Sequence, residues 1–173
     1  MSSITINKAN LTDLEIIQSL GRETFYETFA QHNSEEEMQN YLDKSFASEK
    51  LTSELNNPDS QFFIAWEEDL PVGYLKVNTG KAQTELQDEN SLEIERIYVK
   101  SSHHGKKVGQ ILYEKALEIA QEKAKKNLWL GVWEENLRAV NFYKKNGFVE
   151  FDKHIFRLGN DEQTDLMMRK IVS

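Results

Sequence analysis

Residues 99–112, VKSSHHGKKVGQIL, bring a strand end, a turn containing Gly105 and Gly109, and the start of an amphipathic helix together in immediate succession. Such a junction aims several amide N–H groups without intrahelical partners, and the positive end of the helix, at whatever lies in front of it. The chemistry this suits is anion binding, phosphate above all. A helix end contributes about 0.3–1 kcal/mol to an exposed anion and up to about 2 kcal/mol to a partly buried one, and Lys106 and Lys107 add charge to it. The segment matches neither G-x-x-x-x-G-K-[ST] nor G-x-G-x-x-G, which excludes the ordinary nucleoside triphosphate and dinucleotide readings. Standing alone, it also reads as a plain loop with solvated lysines.

Other chemistries close off from composition. The 173 residues contain no cysteine, so thiolate zinc, iron–sulfur clusters, disulfides and cysteine nucleophiles are excluded. His103 and His104 are adjacent, so their side chains diverge, and neither belongs to H-E-x-x-H; no metal site is expected. His32 and His154 are isolated and read as surface or satisfied core histidines. A net charge of −8 argues against phosphate-backbone binding, so nucleic acid is not an expected partner. The N-terminus lacks a basic start followed by an apolar run, and no stretch approaches the ~20 apolar residues that cross a bilayer. A soluble, cytoplasmic protein with no membrane partner is expected. The charge is uneven: residues 1–88 carry 6 basic and 16 acidic side chains, residues 89–173 carry 15 and 13. Acidic and basic work can therefore occupy different faces, although a Glu-rich run such as Glu35-Glu36-Glu37 also reads as a solvated helix face.

The elements that must hold the turn follow from periodicity. With no linker, repeat or low-complexity tract, residues 1–173 read as a single domain. After a short strand near Ile4–Asn7, Thr12 can cap a helix whose Leu14, Ile17, Leu20, Phe25 and Phe29 recur at helical spacing. Ser34 and Glu37 read as a capping box for a second helix with Met38, Tyr41, Leu42, Phe46 and Leu51 facing inward, ending at Asn57-Pro58-Asp59. Residues 61–67 and 71–78 read as a hairpin. In SLEIERIYVK, Leu92 and Ile94 alternate with Glu93 and Glu95 before the sense changes at Ile97, a strand with an irregularity. A helix from Gly105 to about Lys125, a buried strand at 128–132, a helix from about Leu137 to Asn146 ended by Gly147, and strands near 148–158 and 164–172 complete a mixed α/β (α+β) chain with a mostly antiparallel sheet of about seven strands and about four helices.

Residues 128–148, LWLGVWEENLRAVNFYKKNGF, contain N-x-x-A-x-x-F-Y-x-K-x-G-F after the buried strand. Together with the strand and turn at 92–112, this resembles the GNAT superfamily of N-acetyltransferases. At finer grain SLEIERIYV, KKNLWLGVWE, AVNFYKKNGF and EQTDLMM are similar to bacterial spermidine/spermine N-acetyltransferases of the PaiA type. The superfamily's Arg/Gln-x-x-Gly-x-Gly turn is here His104-Gly105-Lys106-Lys107-Val108-Gly109, with His104 at the leading position and Lys107 in place of a glycine.

The resemblance implies acetyl-CoA as co-substrate and no metal. The pantetheine arm would run beside the main chain of Ile97, Tyr98 and Val99, with the pyrophosphate on the amides of Gly105, Lys106, Lys107, Val108, Gly109 and Gln110. Asn136 would bond the pantetheine arm, and Lys145 either meets a nucleotide phosphate or is a solvated helix lysine. A primary amine with pKa near 10.4 must lose a proton to attack, at a cost of about 4.6 kcal/mol at pH 7. Glu95, with Glu93 second, is implied as the acceptor of that proton; both also read as solvent-facing strand carboxylates, one paired with Arg96. Tyr143, in the family's F-Y position, is implied as the proton donor to the leaving thiolate.

The PaiA-like segments and the acidic first half point to a polyamine, spermidine or spermine, attacking directly within a ternary complex. Glu35, Tyr41, Trp133 and Glu134 are candidates for bordering that acceptor. A protein or peptide Nα-acetyltransferase, and a non-catalytic module that senses acetyl-CoA, are the alternative readings. Superfamily members often pair as homodimers, but no stripe in the sequence specifies an interface.

Overall fold

The alternations and helical spacings resolve into seven strands and five α-helices in the computed structural model, which describes residues 3–172. In chain order they are β1 (Ile4–Lys8), α1 (Leu14–Phe29), α2 (Glu35–Ser45), α3 (Ser48–Asn56), β2 (Ser60–Glu67), β3 (Leu70–Asn78), β4 (Ser91–Val99), α4 (Val108–Glu122), β5 (Asn127–Trp133), α5 (Leu137–Lys145), β6 (Val149–Leu158) and β7 (Asp161–Ile171). The strands form one sheet in the order β1-β2-β3-β4-β5-β7-β6, antiparallel except for the β4–β5 pair. The mixed α/β class with a mostly antiparallel sheet is as the sequence predicts, with one helix more.

The extra helix comes from a break in the second helical region. Phe46 leaves helical geometry and Ala47 is extended, separating α2 from α3. The Phe46 ring fills the space over Gly21 of α1, where a Cβ would stand 2.3 Å from it. The Phe46 carbonyl, released from the helix, accepts from Gln18 Nε2 at 2.6 Å. The α1 start also differs from expectation. Asn10 rather than Thr12 is the cap, in a reciprocal box with Asp13, ahead of one 3-10 turn. Ser34 caps α2, accepting from the Glu37 amide, but the Glu37 side chain does not return to close the expected box.

Each face of the sheet has its own core. Leu92, Ile94, Leu128, Leu130 and Leu166 pack with α4 and α5 residues such as Leu112, Ala116 and Val140. Phe62, Ile64, Tyr74 and Trp133 pack on the other face with Leu20, Phe29, Leu42 and Leu51 from α1–α3. The acidic first half thus supplies the helices of one face, and the later helices cover the opposite one.

Between β4 and β5 the sheet opens. The two strands pair only from Ser91↔Asn127 to Ile94↔Leu130; Glu95–Val99 and 131–133 have no pairing with each other. The cause is visible on the β3 side, where Lys76 pairs with Arg96 but Val77 with Ile94, leaving Glu95 as an extra, bulged residue. A bulge bends its strand and increases the twist, here away from β5. It also resets the alternation, so that Leu92 and Ile94 before it and Ile97 and Val99 after it all serve the α4–α5 core. This is the irregularity expected from the change of sense in SLEIERIYV, located at Glu95.

Candidate active site

The opening between β4 and β5 leads into a cavity of about 1280 Å³ that reaches both faces of the sheet, larger than the usual ~300–1,000 Å³ of a small-molecule site. Ile97, Tyr98 and Val99 line it from the part of β4 that has no partner on the β5 side. Beyond Val99 the chain enters the turn at 100–107 that leads into α4. Gly105 has φ +80°, a left-handed conformation that glycine adopts without penalty, and Lys107 takes the same region at φ 67° as the residue before α4. No side chain caps α4. The amides of Val108, Gly109 and Gln110 in its first turn therefore lack intrahelical partners. Gly105, Lys107, Val108, Gly109 and Gln110 all line the cavity, whereas Lys106 does not. His104 stands on the lining and its Nε2 meets the Val99 carbonyl at 2.8 Å, tying the turn back to the end of β4. The turn is latched to α1 as well, since the Ser101 amide donates to Glu27 at 3.0 Å.

The two β4 carboxylates are both on the lining, in different environments. Because the bulge puts Glu95 and Arg96 side by side, Glu95 joins a nearly closed ion network. It accepts from Lys76 Nζ at 2.7 Å, from Asn78 at 2.8 Å and from Arg96 at 3.2 Å, while Glu54 of α3 takes the remaining reach of Lys76 and Arg96. Burial alone would raise the Glu95 carboxyl, but the Arg96 and Lys76 charges and their hydrogen bonds outweigh it and hold it below its ordinary value. Glu93 is buried more deeply and has no cation beside it. It is held by the Thr84 amide at 2.8 Å, the Thr84 hydroxyl and Asn78 at 3.0 Å. Here burial prevails over those bonds and the carboxyl is raised.

On the α5 side Tyr143 is buried, reaches the cavity, and packs edge-on against Phe142 and Phe148. Burial pushes its hydroxyl well above the ordinary phenol value, so it keeps its proton at neutral pH. Asn136 caps α5 through the Ala139 amide at 3.4 Å and faces the cavity beside it; Lys145, exposed, is also on the lining. Gly147 ends α5 in a left-handed turn, as expected.

Across the sheet, the α1–α3 face of the cavity is aromatic and acidic. Tyr41 and Trp133 line it as predicted. Glu134 is outside the lining, and the neighbouring Glu135 stands there instead. Glu35 lies away from the cavity on the outer side of α2, accepting from Tyr26 and Gln39 at 2.8 and 3.0 Å. Sequence reasoning missed Thr84 and Glu85, from the loop before β4, and His154 and Asp165, from β6 and β7. The Asp165 signal was present within EQTDLMM, but its position depends on β7 entering the sheet between β5 and β6, which periodicity does not encode.

Residues 17–148 match the model of the Acetyltransferase (GNAT) family. The chain belongs to the GNAT acetyltransferase family. An uncharacterized N-acetyltransferase in the pepI 3′ region of Lactobacillus delbrueckii subsp. lactis is 41% identical to this GNAT acetyltransferase over 170 residues, covering 98% of each chain. A spermidine N(1)-acetyltransferase of Thermoplasma acidophilum is 29% identical over 150 residues, 84% of this chain and 88% of its own. Among solved structures, the PaiA N-acetyltransferase from Thermoplasma acidophilum in complex with coenzyme A superposes with a TM-score of 0.81 at 28% identity, over 98% of this chain and 99% of the other. The ribosomal-protein-S18-alanine N-acetyltransferase from Escherichia coli, at 14% identity and a TM-score of 0.74, shares the fold.

Proposed function

We propose that this GNAT acetyltransferase moves the acetyl group of acetyl-CoA to a primary amine of a polyamine, spermidine or spermine, as one domain over residues 1–173 working in the cytoplasm. The observation that carries the reading is the opened β4–β5 seam, with an uncapped amide turn on one side and a carboxylate- and aromatic-lined chamber on the other. The residues present fit a coenzyme A thioester. The orphan amides of Val108 to Gln110 with Gly105 and Lys107 suit its pyrophosphate, Lys106 adds charge nearby, and Lys145 suits a nucleotide phosphate. The main chain of Ile97 to Val99, paired with β3 but open on the β5 side and with the Val99 carbonyl taken by His104, and the Asn136 side-chain amide suit the pantetheine arm. When bound, acetyl-CoA supplies a thioester carbonyl as the electrophile.

The chain's own groups then manage two protons. The incoming ammonium must become a free amine, at a cost of about 4.6 kcal/mol at pH 7 for an ordinary alkylamine. Glu93 and Glu95 are the candidate acceptors, directly or through one water. Both carboxylates accept several hydrogen bonds, and Glu93 is the better candidate because its proton affinity is raised by burial, whereas that of Glu95 is lowered by the Arg96 and Lys76 charges. As the C–N bond forms and the C–S bond breaks, the Tyr143 hydroxyl donates its proton to the departing sulfur, and the extra proton left on the acylated nitrogen returns to the phenolate, directly or through water, giving a neutral amide, a free thiol and the restored phenol. No acyl-enzyme is required.

Polyamine rather than another amine is supported by the carboxylates and aromatic rings of the α1–α3 side, by the net acidity of the first 88 residues, and by the spermidine N(1)-acetyltransferase among the relatives. The test is acetyl-CoA turnover with spermidine, spermine, free lysine, aminoglycosides and peptides with free N-termini. The highest kcat/KM is expected for a polyamine. Turnover confined to peptide N-termini would overturn the acceptor assignment.

A further inference from the structure

We propose that Asp165, walled by Trp133, Tyr41, Phe29 and Phe156, seats a second, non-reacting ammonium of the acceptor and thereby selects polyamines over monoamines. The proposal rests on the polyamine reading and adds the residue that enforces it. Strand register fixes the geometry. Asp165 is directly opposite Trp133 of β5 on one side and His154 of β6 on the other, so the three side chains form a row on one face of the sheet. That is the α1–α3 face, where Trp133 packs, and all three residues line the cavity.

Asp165 differs from Glu27, Glu85, Glu93 and Glu95 in having nothing to hold, and from Glu135, which also lacks a partner among the described residues, in being partly buried rather than exposed. Glu93 and Glu95 are saturated by Thr84, Asn78, Lys76 and Arg96; Glu27 takes Ser101, and Glu85 contacts His154. Among the described residues no donor reaches the Asp165 carboxylate, which is partly buried. Burial accordingly pushes it up to about 6, with His154 pulling it down and Glu85 pushing it further up. A bound ammonium would supply both the missing donor and the missing charge. Space for one exists, because Gly131 on β5 is exposed in mid-strand and the position of its absent Cβ is 3.7 Å from Asp165 Oδ2.

The walls match the rest of such a ligand. Phe29 and Trp133 ring centroids are 5.1 Å apart, Phe29 and Phe156 6.1 Å, and Tyr41 and Phe156 5.8 Å, a continuous aromatic surface. Aromatic faces attract alkylammonium charge and cover methylenes at once. The seat is also well separated from the proton acceptor on β4. Glu93 is level with Trp129 and Asp165 with Trp133, four residues or about 13 Å along the strand, and β4 and β7 lie two strand spacings, about 10 Å, apart across the sheet. Such a gap requires an acceptor whose charges are several methylenes apart.

The experiment compares kcat/KM for spermidine and for hexylamine in the parent enzyme, in Asp165→Asn and in Gly131→Ala. The second variant keeps the carboxylate and fills the space before it with a methyl at ordinary contact distance, so it tests the seat even if Asp165→Asn folds poorly. The ratio of spermidine to hexylamine is expected to fall tenfold or more in each, mainly through KM. A parent ratio well above one that stays within threefold of that value in both variants overturns the Asp165 seat and leaves the polyamine reading standing. A parent enzyme that does not prefer spermidine over hexylamine overturns the polyamine reading and the seat with it.

Discussion

Tyr143, Glu93 and Glu95 show how burial and partners divide labour among groups of ordinary chemistry. Tyr143 is buried without a charged neighbour to shift it, so it keeps its proton, as the proposed donor role requires. Replacing it with Phe removes the hydroxyl and little else; kcat is expected to fall by about 10²-fold, within the usual range for a general acid, while calorimetry shows coenzyme A affinity unchanged within about twofold. Unchanged turnover would assign the sulfur's proton to another group. Glu93 has a carboxyl raised by burial, and the proposed role of proton acceptor needs it ionised. Turnover should therefore fall as pH drops through a value above the ordinary 4.5, and Glu93→Gln should lower kcat and abolish that acid limb together. A limb that persists in the variant belongs elsewhere. The types of these residues, and the F-Y spacing around Tyr143, were legible in the sequence; the saturation of Glu95 by Lys76, Asn78 and Arg96 was not, because two of those partners come from β3.

At the scale of elements, the decisive device is the β4 bulge. It opens the seam to β5 and places Glu95 beside Arg96, where a buried network closes with Lys76 and Glu54. Removing one member of such a network leaves buried charge uncompensated. Glu95→Gln is expected to cost about 3 kcal/mol of stability at pH 7 in chemical denaturation. The sign with pH follows from the lowered carboxyl: its contribution is full above the ordinary value of 4.5 and is lost as pH falls through the lower folded value, so parent and variant should converge in acid. A variant as stable as the parent at pH 7 would reduce the network to bystanders. The change of alternation at Ile97 announced the bulge in the sequence. The break at Phe46 was not announced, because it depends on a ring meeting Gly21 of α1, a contact outside the reach of local periodicity. Lys107, where the family's turn has glycine, is accommodated in left-handed geometry just before α4.

At the scale of the molecule, the charge asymmetry of the chain becomes spatial. The acidic half supplies α1–α3 on one face, the α4 amide turn belongs to the later half, and the cavity joins the two through the seam. Strand and helix order was readable from periodicity. The placement of β7 between β5 and β6, which brings Asp165 and His154 to the chamber, needed the assembled sheet. The most direct measurement is a crystal structure of the protein with coenzyme A and spermidine bound together. The account predicts the diphosphate on the amides that open α4, the sulfur between Tyr143 and the end of β4 that is open on the β5 side, and the polyamine in the chamber beneath α1–α3. Coenzyme A bound away from the β4–β5 seam, or spermidine on the α4–α5 face, would contradict it.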